Sequence, residues 1–73
     1  MQQFEYAMLT GRDDPSGSGK VMWTVVPTQS GVIVNSLNVL DLLRPLGQKG
    51  WEVVAATDIG GGARPEIILK RTP

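Results

Sequence analysis

Residues 15–20 read Pro-Ser-Gly-Ser-Gly-Lys, so Gly19 and Lys20 raise the question of a phosphate-binding loop. Such a loop needs a glycine, four residues, then Gly-Lys-Ser/Thr, running from a strand into a helix. Its amides cradle phosphate, its lysine reaches the outer phosphates and its hydroxyl holds magnesium. Here the first-glycine position is Asp14, a carboxylate beside any polyanion, and the hydroxyl position is Val21. The following Val21–Val26 is β-branched and aromatic, which reads as a strand, so no helix N-terminus supplies free amides. The segment is expected to be a mobile hairpin loop over residues 11–19 rather than a nucleotide site.

Two other groupings could do chemistry. Gly60-Gly61-Gly62 with Arg64 could form an anion nest, although glycines in a hairpin turn account for the same residues. Arg12, Lys20, Gly61, Gly62 and Arg64 are therefore the candidate ligand-binding residues, for a nucleotide or metabolite. Glu5 and Glu52 would face each other if their strands were neighbours, and a carboxylate pair can perform acid–base catalysis when its environment separates the two pKa values. No cleft is evident around them, and no catalytic residue is assigned.

Composition narrows the classes further. The chain has no histidine and no cysteine, which removes the commonest general base, the commonest metal ligands and any disulfide. Neither a metal nor a cofactor is expected. Seven Lys+Arg balance seven Asp+Glu, whereas a nucleic-acid partner usually draws a basic excess. The strip Arg64, Lys70 and Arg71 is too thin to supply one. No apolar run approaches the ~20 residues that span a bilayer, and Met1–Glu5 lacks the features of a signal peptide. The expectation is a cytoplasmic, non-enzymatic protein without a membrane partner. With 73 residues it forms a single small domain that buries only about 60% of its unfolded surface.

The elements that would position these residues follow from periodicity. Phe4–Thr10 and Lys20–Val26 alternate as strands, and Pro27 ends the second because it cannot donate to a ladder. Residues 28–35, with the run Gly31-Val32-Ile33-Val34, fit a short strand extension or an apolar lead-in to a helix. Asn35 or Ser36 suits an N-cap, after which leucines recur at helical spacing to Leu46. Pro45 predicts a kink or break there, at a cost of about 3 kcal/mol in a helix interior, and Gly50 suits the left-handed position beyond a helix end. Trp51–Ile59 and Glu66–Arg71 are the third and fourth strands. The pattern is β-β-α-β-β, an α+β fold with a four-stranded antiparallel sheet in the order 2-1-3-4 and one helix packed on one face.

The run Leu46–Val54, Leu-Gly-Gln-Lys-Gly-Trp-Glu-Val-Val, carries a helix end, a glycine cap, a tryptophan and a strand start. With Phe4–Leu9 at one end and Ile67–Arg71 at the other, it resembles the small bacterial and phage proteins of the domain-of-unknown-function 4177 family. Pro45 departs from the family's uninterrupted helix, and the Gly11–Gly19 loop lies outside the likeness. The resemblance implies a fold and no activity.

One helix covers one sheet face. Phe4, Tyr6, Trp23, Val25, Trp51, Val53, Ile67 and Leu69 are assigned to that face, with Trp51 as a core anchor under the helix. The other face should be polar in a monomer, yet it receives Leu9, Met22, Val26, Val54, Ala56 and Ile68, beside Glu5, Glu52 and Lys70. A contiguous apolar patch marks an interface. Leu9, Met22, Val26, Val54 and Ile68 are therefore the expected contact of a homodimer or higher homo-oligomer, formed through this face or through a strand edge beside it. In the alternative, residues 28–34 fold back over this face within one chain.

Overall fold

The computed structural model describes residues 3–59 and 64–73. The chain is a small α+β fold, with one helix and an antiparallel sheet of five strands. The elements are β1 (Glu5–Asp13), β2 (Val21–Val26), β3 (Asn35–Ser36), α1 (Leu40–Gln48), β4 (Glu52–Ile59) and β5 (Arg64–Arg71). The sheet runs β3-β2-β1-β5-β4.

The order predicted from the sequence places the third long strand beside β1; instead β5 takes that place and β4 lies at the edge. The cause is β3. Asn35 and Ser36 pair antiparallel with Thr24 and Trp23, which turns the chain round once more before the helix. A helical crossover then returns the chain to the end from which β3 started, so β4 runs in the direction of β3 and hence of β1. A strand parallel to β1 cannot join it in an antiparallel ladder. The hairpin partner β5, running the other way, fills the position.

The helix also starts later than its leucine spacing suggests. Ser36 is in β3 rather than at the cap. Its Oγ accepts from the Asn38 N–H at 3.0 Å and donates to Asp41 Oδ2 at 2.9 Å, while Asn38 Oδ1 accepts from the Leu40 N–H at 3.1 Å. The last of these satisfies one donor that the helix start leaves free, and the other two tie the lead-in to the first turn. Pro45 does not end the helix, which continues to Gln48. The missing donor falls on the carbonyl of the exposed Asp41, where water can replace it. Gly50 has φ +91°, and the Trp51 N–H closes back on the Leu46 carbonyl at 3.1 Å, so the helix ends as its glycine predicts.

The core lies between the helix and one sheet face: Ala7, Leu9, Val25, Val32, Leu42, Leu46, Trp51 and Leu69. Val39 and Leu43 pack against it from the helix, completing the 39/42/43/46 stripe expected of one helical face. Val32 belongs to this core, so the 28–34 segment does not lay its apolar run over the opposite face. Gly11 is buried on β1, where a Cβ would come within 2.7 Å of Pro65 Cγ and 2.8 Å of Val21 Cγ1.

The assignment of β1 to its two faces is the reverse of that expected. Leu9 is wholly buried beneath the helix, whereas Tyr6 is 62% exposed on the open face. Both alternations of β1 are apolar, and size alone favours the aromatic set inside. The central strand instead turns Ala7, Leu9 and Gly11 to the helix side, where Pro65 and Val21 of the neighbouring strands crowd Gly11 and the rings of the core come from Trp51 and Trp23. On β4, a bulge shifts the register between Val53 and Ala55. Ala56 then stands opposite the helix-side Ile67, and Ala55 opposite the open-face Ile68.

Candidate functional site

The glycine-serine loop is built around a carboxylate. Strand β1 runs on to Asp13 and β2 starts at Val21, so the loop proper is residues 14–20. Asp14 accepts from Ser16 Oγ and Ser18 Oγ, each at 2.5 Å, and from the Ser16 N–H at 3.2 Å. Its own N–H donates to the Lys20 carbonyl at 3.0 Å, and Gly17 N–H to the Asp14 carbonyl at 3.0 Å. Asp14 is only 8% exposed, but what covers it is its own loop. The Ser16 hydroxyl, then the Ser18 hydroxyl and the Ser16 amide, hold its carboxyl below the ordinary value of 3.8. The position that would receive a phosphate is thus filled by an anion of the protein itself.

The candidate ligand residues do not converge. Lys20 is exposed at the end of this loop, and Arg12 is exposed on the open face opposite Met22. Gly61 and Gly62 lie outside the described residues; Arg64 begins β5, paired with Ile59. Among the described residues no pocket opens, no acidic cluster could hold a metal ion, and no helix is long and apolar enough to cross a membrane.

The carboxylate pair does not form. Strand β5 separates β1 from β4. Glu5 meets Arg71 Nη2 at 3.4 Å, and Glu52 meets Lys70 Nζ at 3.8 Å. Adjacent residues of β5 point to opposite faces, so the two glutamates belong to separate ion pairs on separate sides of the sheet.

What the fold does assemble is the open face. Across it, Val26 stands opposite Met8, Met8 opposite Ile68, and Ile68 opposite Ala55. This is one apolar row over β2, β1, β5 and β4. Toward the start of β1 the next row is Tyr6, Lys70 and Glu52. On the other side it is Asn35, Thr24, Thr10, Glu66 and Thr57, with Met22 and Arg12 beyond. Lys70 Nζ lies 4.4 Å from the centroid of the Phe4 ring, which is itself 6.5 Å from the Tyr6 ring.

Of the five expected interface residues, Met22, Val26 and Ile68 occupy this face. Val54 lies in the bulge of the edge strand and is exposed. Leu9 does not belong to the set, because it is sealed in the core. Sequence reasoning misses Tyr6 and Met8, and the signal for them is Gly11: a glycine in step with Leu9 and Ala7 marks the side where something approaches closely.

Comparison with family models, with curated proteins and with solved structures finds no match.

Proposed function

We propose that the protein is a non-enzymatic binding or adaptor module that works as a homo-oligomer, a dimer before anything larger, through its open sheet face. The observation that carries this reading is the row Val26–Met8–Ile68–Ala55, in which Val26 and Ala55 are exposed and Met8 and Ile68 partly so, on the face opposite the helix-side core. Leaving aliphatic surface in water costs about 25 cal/mol per Å², and a two-fold axis lets one patch satisfy itself. A second copy would also add core that so short a chain lacks. The absence of histidine and cysteine and the neutral charge favour binding over catalysis. Membership of the domain-of-unknown-function 4177 family is proposed on the Leu46–Val54 motif and the strand ends alone.

Light scattering behind a sizing column tests the assembly. At tens of micromolar, on the order of the concentrations where modest interfaces form, the expected mass is that of two chains. A mass of one chain at that concentration would remove the reading.

A further inference from the structure

The arrangement of the open face specifies how a second copy of this chain would seat on it. We infer that the two sheets pack face to face about a two-fold axis lying along the Val26–Met8–Ile68–Ala55 row, with Lys70 of each copy over Glu66 of the other. This inference rests on the oligomer reading above and narrows it to one geometry.

The argument is one of register. The rows on either side of the apolar row are different. One carries Lys70 and the other Glu66, both on β5 and each two residues from Ile68. A two-fold along the apolar row exchanges these flanking rows while each strand faces its own equivalent. Val26 then meets Val26, Met8 meets Met8, Ile68 meets Ile68 and Ala55 meets Ala55, while Lys70 meets Glu66 twice. Tyr6 comes over Thr10 and Glu52 over Thr57, so no like charges oppose each other.

The main competitor is an axis along the strands, between β1 and β5. It would set Lys70 over Tyr6 and Glu66 over Thr10, leaving Glu66 without a countercharge. In the single chain Glu66 is half-buried between Thr10 and Thr57. Charge complementarity fixes register in an interface. Lys70 already lies 3.8 Å from Glu52 in its own chain, so the first arrangement sets it between two carboxylates, and of the two arrangements only the first places a cation directly opposite Glu66. Aligned sheets pack about 10 Å apart and cross at about 30°. Because β5 is a central strand, its side chains lie near the crossing point, where that rotation displaces opposed rows least.

The chain contains no cysteine, so a single introduced thiol reports geometry without background. Val26 is 47% exposed, and Val26→Cys should fold normally. Under the proposed axis the two introduced thiols, one from each copy, face each other, and a short bis-maleimide should convert the variant to covalent dimer. Under the competing axis they sit over opposite edges, three strand spacings or about 14 Å apart laterally, and should not cross-link. Glu66→Lys, which opposes two lysines across the interface, should weaken the dimer about tenfold or more in sedimentation with an unchanged circular dichroism spectrum. A dimer by light scattering in which Val26→Cys fails to cross-link, or in which Glu66→Lys leaves dimer affinity unchanged, overturns this geometry and leaves the oligomer standing. A chain monomeric by light scattering overturns both.

Discussion

Arg71 lies over the indole of Trp51, its guanidinium carbon 4.5 Å from the ring centroid. The same guanidinium donates to the Lys49 carbonyl at 3.3 Å, at the end of the helix, and meets Glu5 at 3.4 Å. The last strand therefore fastens the helix end, the first strand and the core tryptophan together at one point. Cations suit helix C-termini, and a planar guanidinium can stack and hydrogen-bond at once.

Trp51 is 6% exposed and its Nε1 has no hydrogen-bond partner, so its contribution is packing. Trp51→Ala should destabilise by about 3–5 kcal/mol, which in a domain of this size is a large part of the total. Arg71→Ala should cost about 1 kcal/mol, as expected for one partly exposed stack. Urea denaturation of both variants checks the order. A Trp51→Ala protein with its midpoint unchanged would make Trp51 a recognition residue instead.

Gly11 is required by space rather than by its dihedral angles. Gly11→Ala drives a methyl to 2.7 Å from Pro65 Cγ and 2.8 Å from Val21 Cγ1, and overpacking of this kind costs about 1–3 kcal/mol. Pro65→Ala in the same chain should return part of that loss. A double-mutant cycle in thermal unfolding reads the coupling, and strictly additive effects would show that the two residues do not press on each other.

The hairpin loop makes a prediction in pH. The carboxyl of Asp14 is held below 3.8 by the hydroxyls of Ser16 and Ser18 and by the Ser16 amide. A depressed folded value means that the stabilisation is complete above the ordinary carboxylate value and is lost as pH falls through the lowered one. Asp14→Asn should therefore be less stable than the parent at neutral pH, and the gap should close as the solution is acidified below 3.8. Urea midpoints measured down the acid range give this difference directly, and a gap independent of pH would show that the carboxylate is not what the serines hold. Because Asp14 occupies its own loop, calorimetry with ATP or GTP and magnesium should show no binding heat, and Lys20→Ala should behave as the parent does.

How far the sequence can be read depends on whether each feature is local. The Gly50–Trp51 junction is legible because a left-handed glycine and a buried indole are both decided within a few residues. The sheet order is not, since it turns on the two-residue strand Asn35–Ser36. Two residues carry no periodicity, yet they reverse the chain and so exchange the places of β4 and β5. The bulge at Val54 escapes for the same reason: one extra residue leaves no alternation signal but flips every side chain after it. The apolar open face is legible as a class, but its residues on β1 are not, because both sides of Phe4–Leu9 are apolar and only the nearby Gly11 tells them apart. The hydrogen bonds to the Asp14 carboxylate come from residues within four of it, yet a reading of the loop for phosphate passes over what Asp14 itself can accept.

The two faces of the sheet can be separated by a pair of substitutions to arginine. Leu9 lies beneath the helix, fully enclosed by the core. Leu9→Arg buries an unpaired charge, which a marginal domain cannot accommodate, so the variant should be unfolded by circular dichroism. Val26 lies in the apolar row and is nearly half exposed in the single chain. Val26→Arg leaves the buried core of the monomer untouched but places charge on charge within a self-facing patch. It should keep its helix signal and elute as a monomer where the parent elutes as a dimer. A Val26→Arg protein that remains dimeric would move the contact away from the open face. One that unfolds would mean that residue 26 is needed within the single chain, and that the row it shares with Met8 and Ile68 is not free surface.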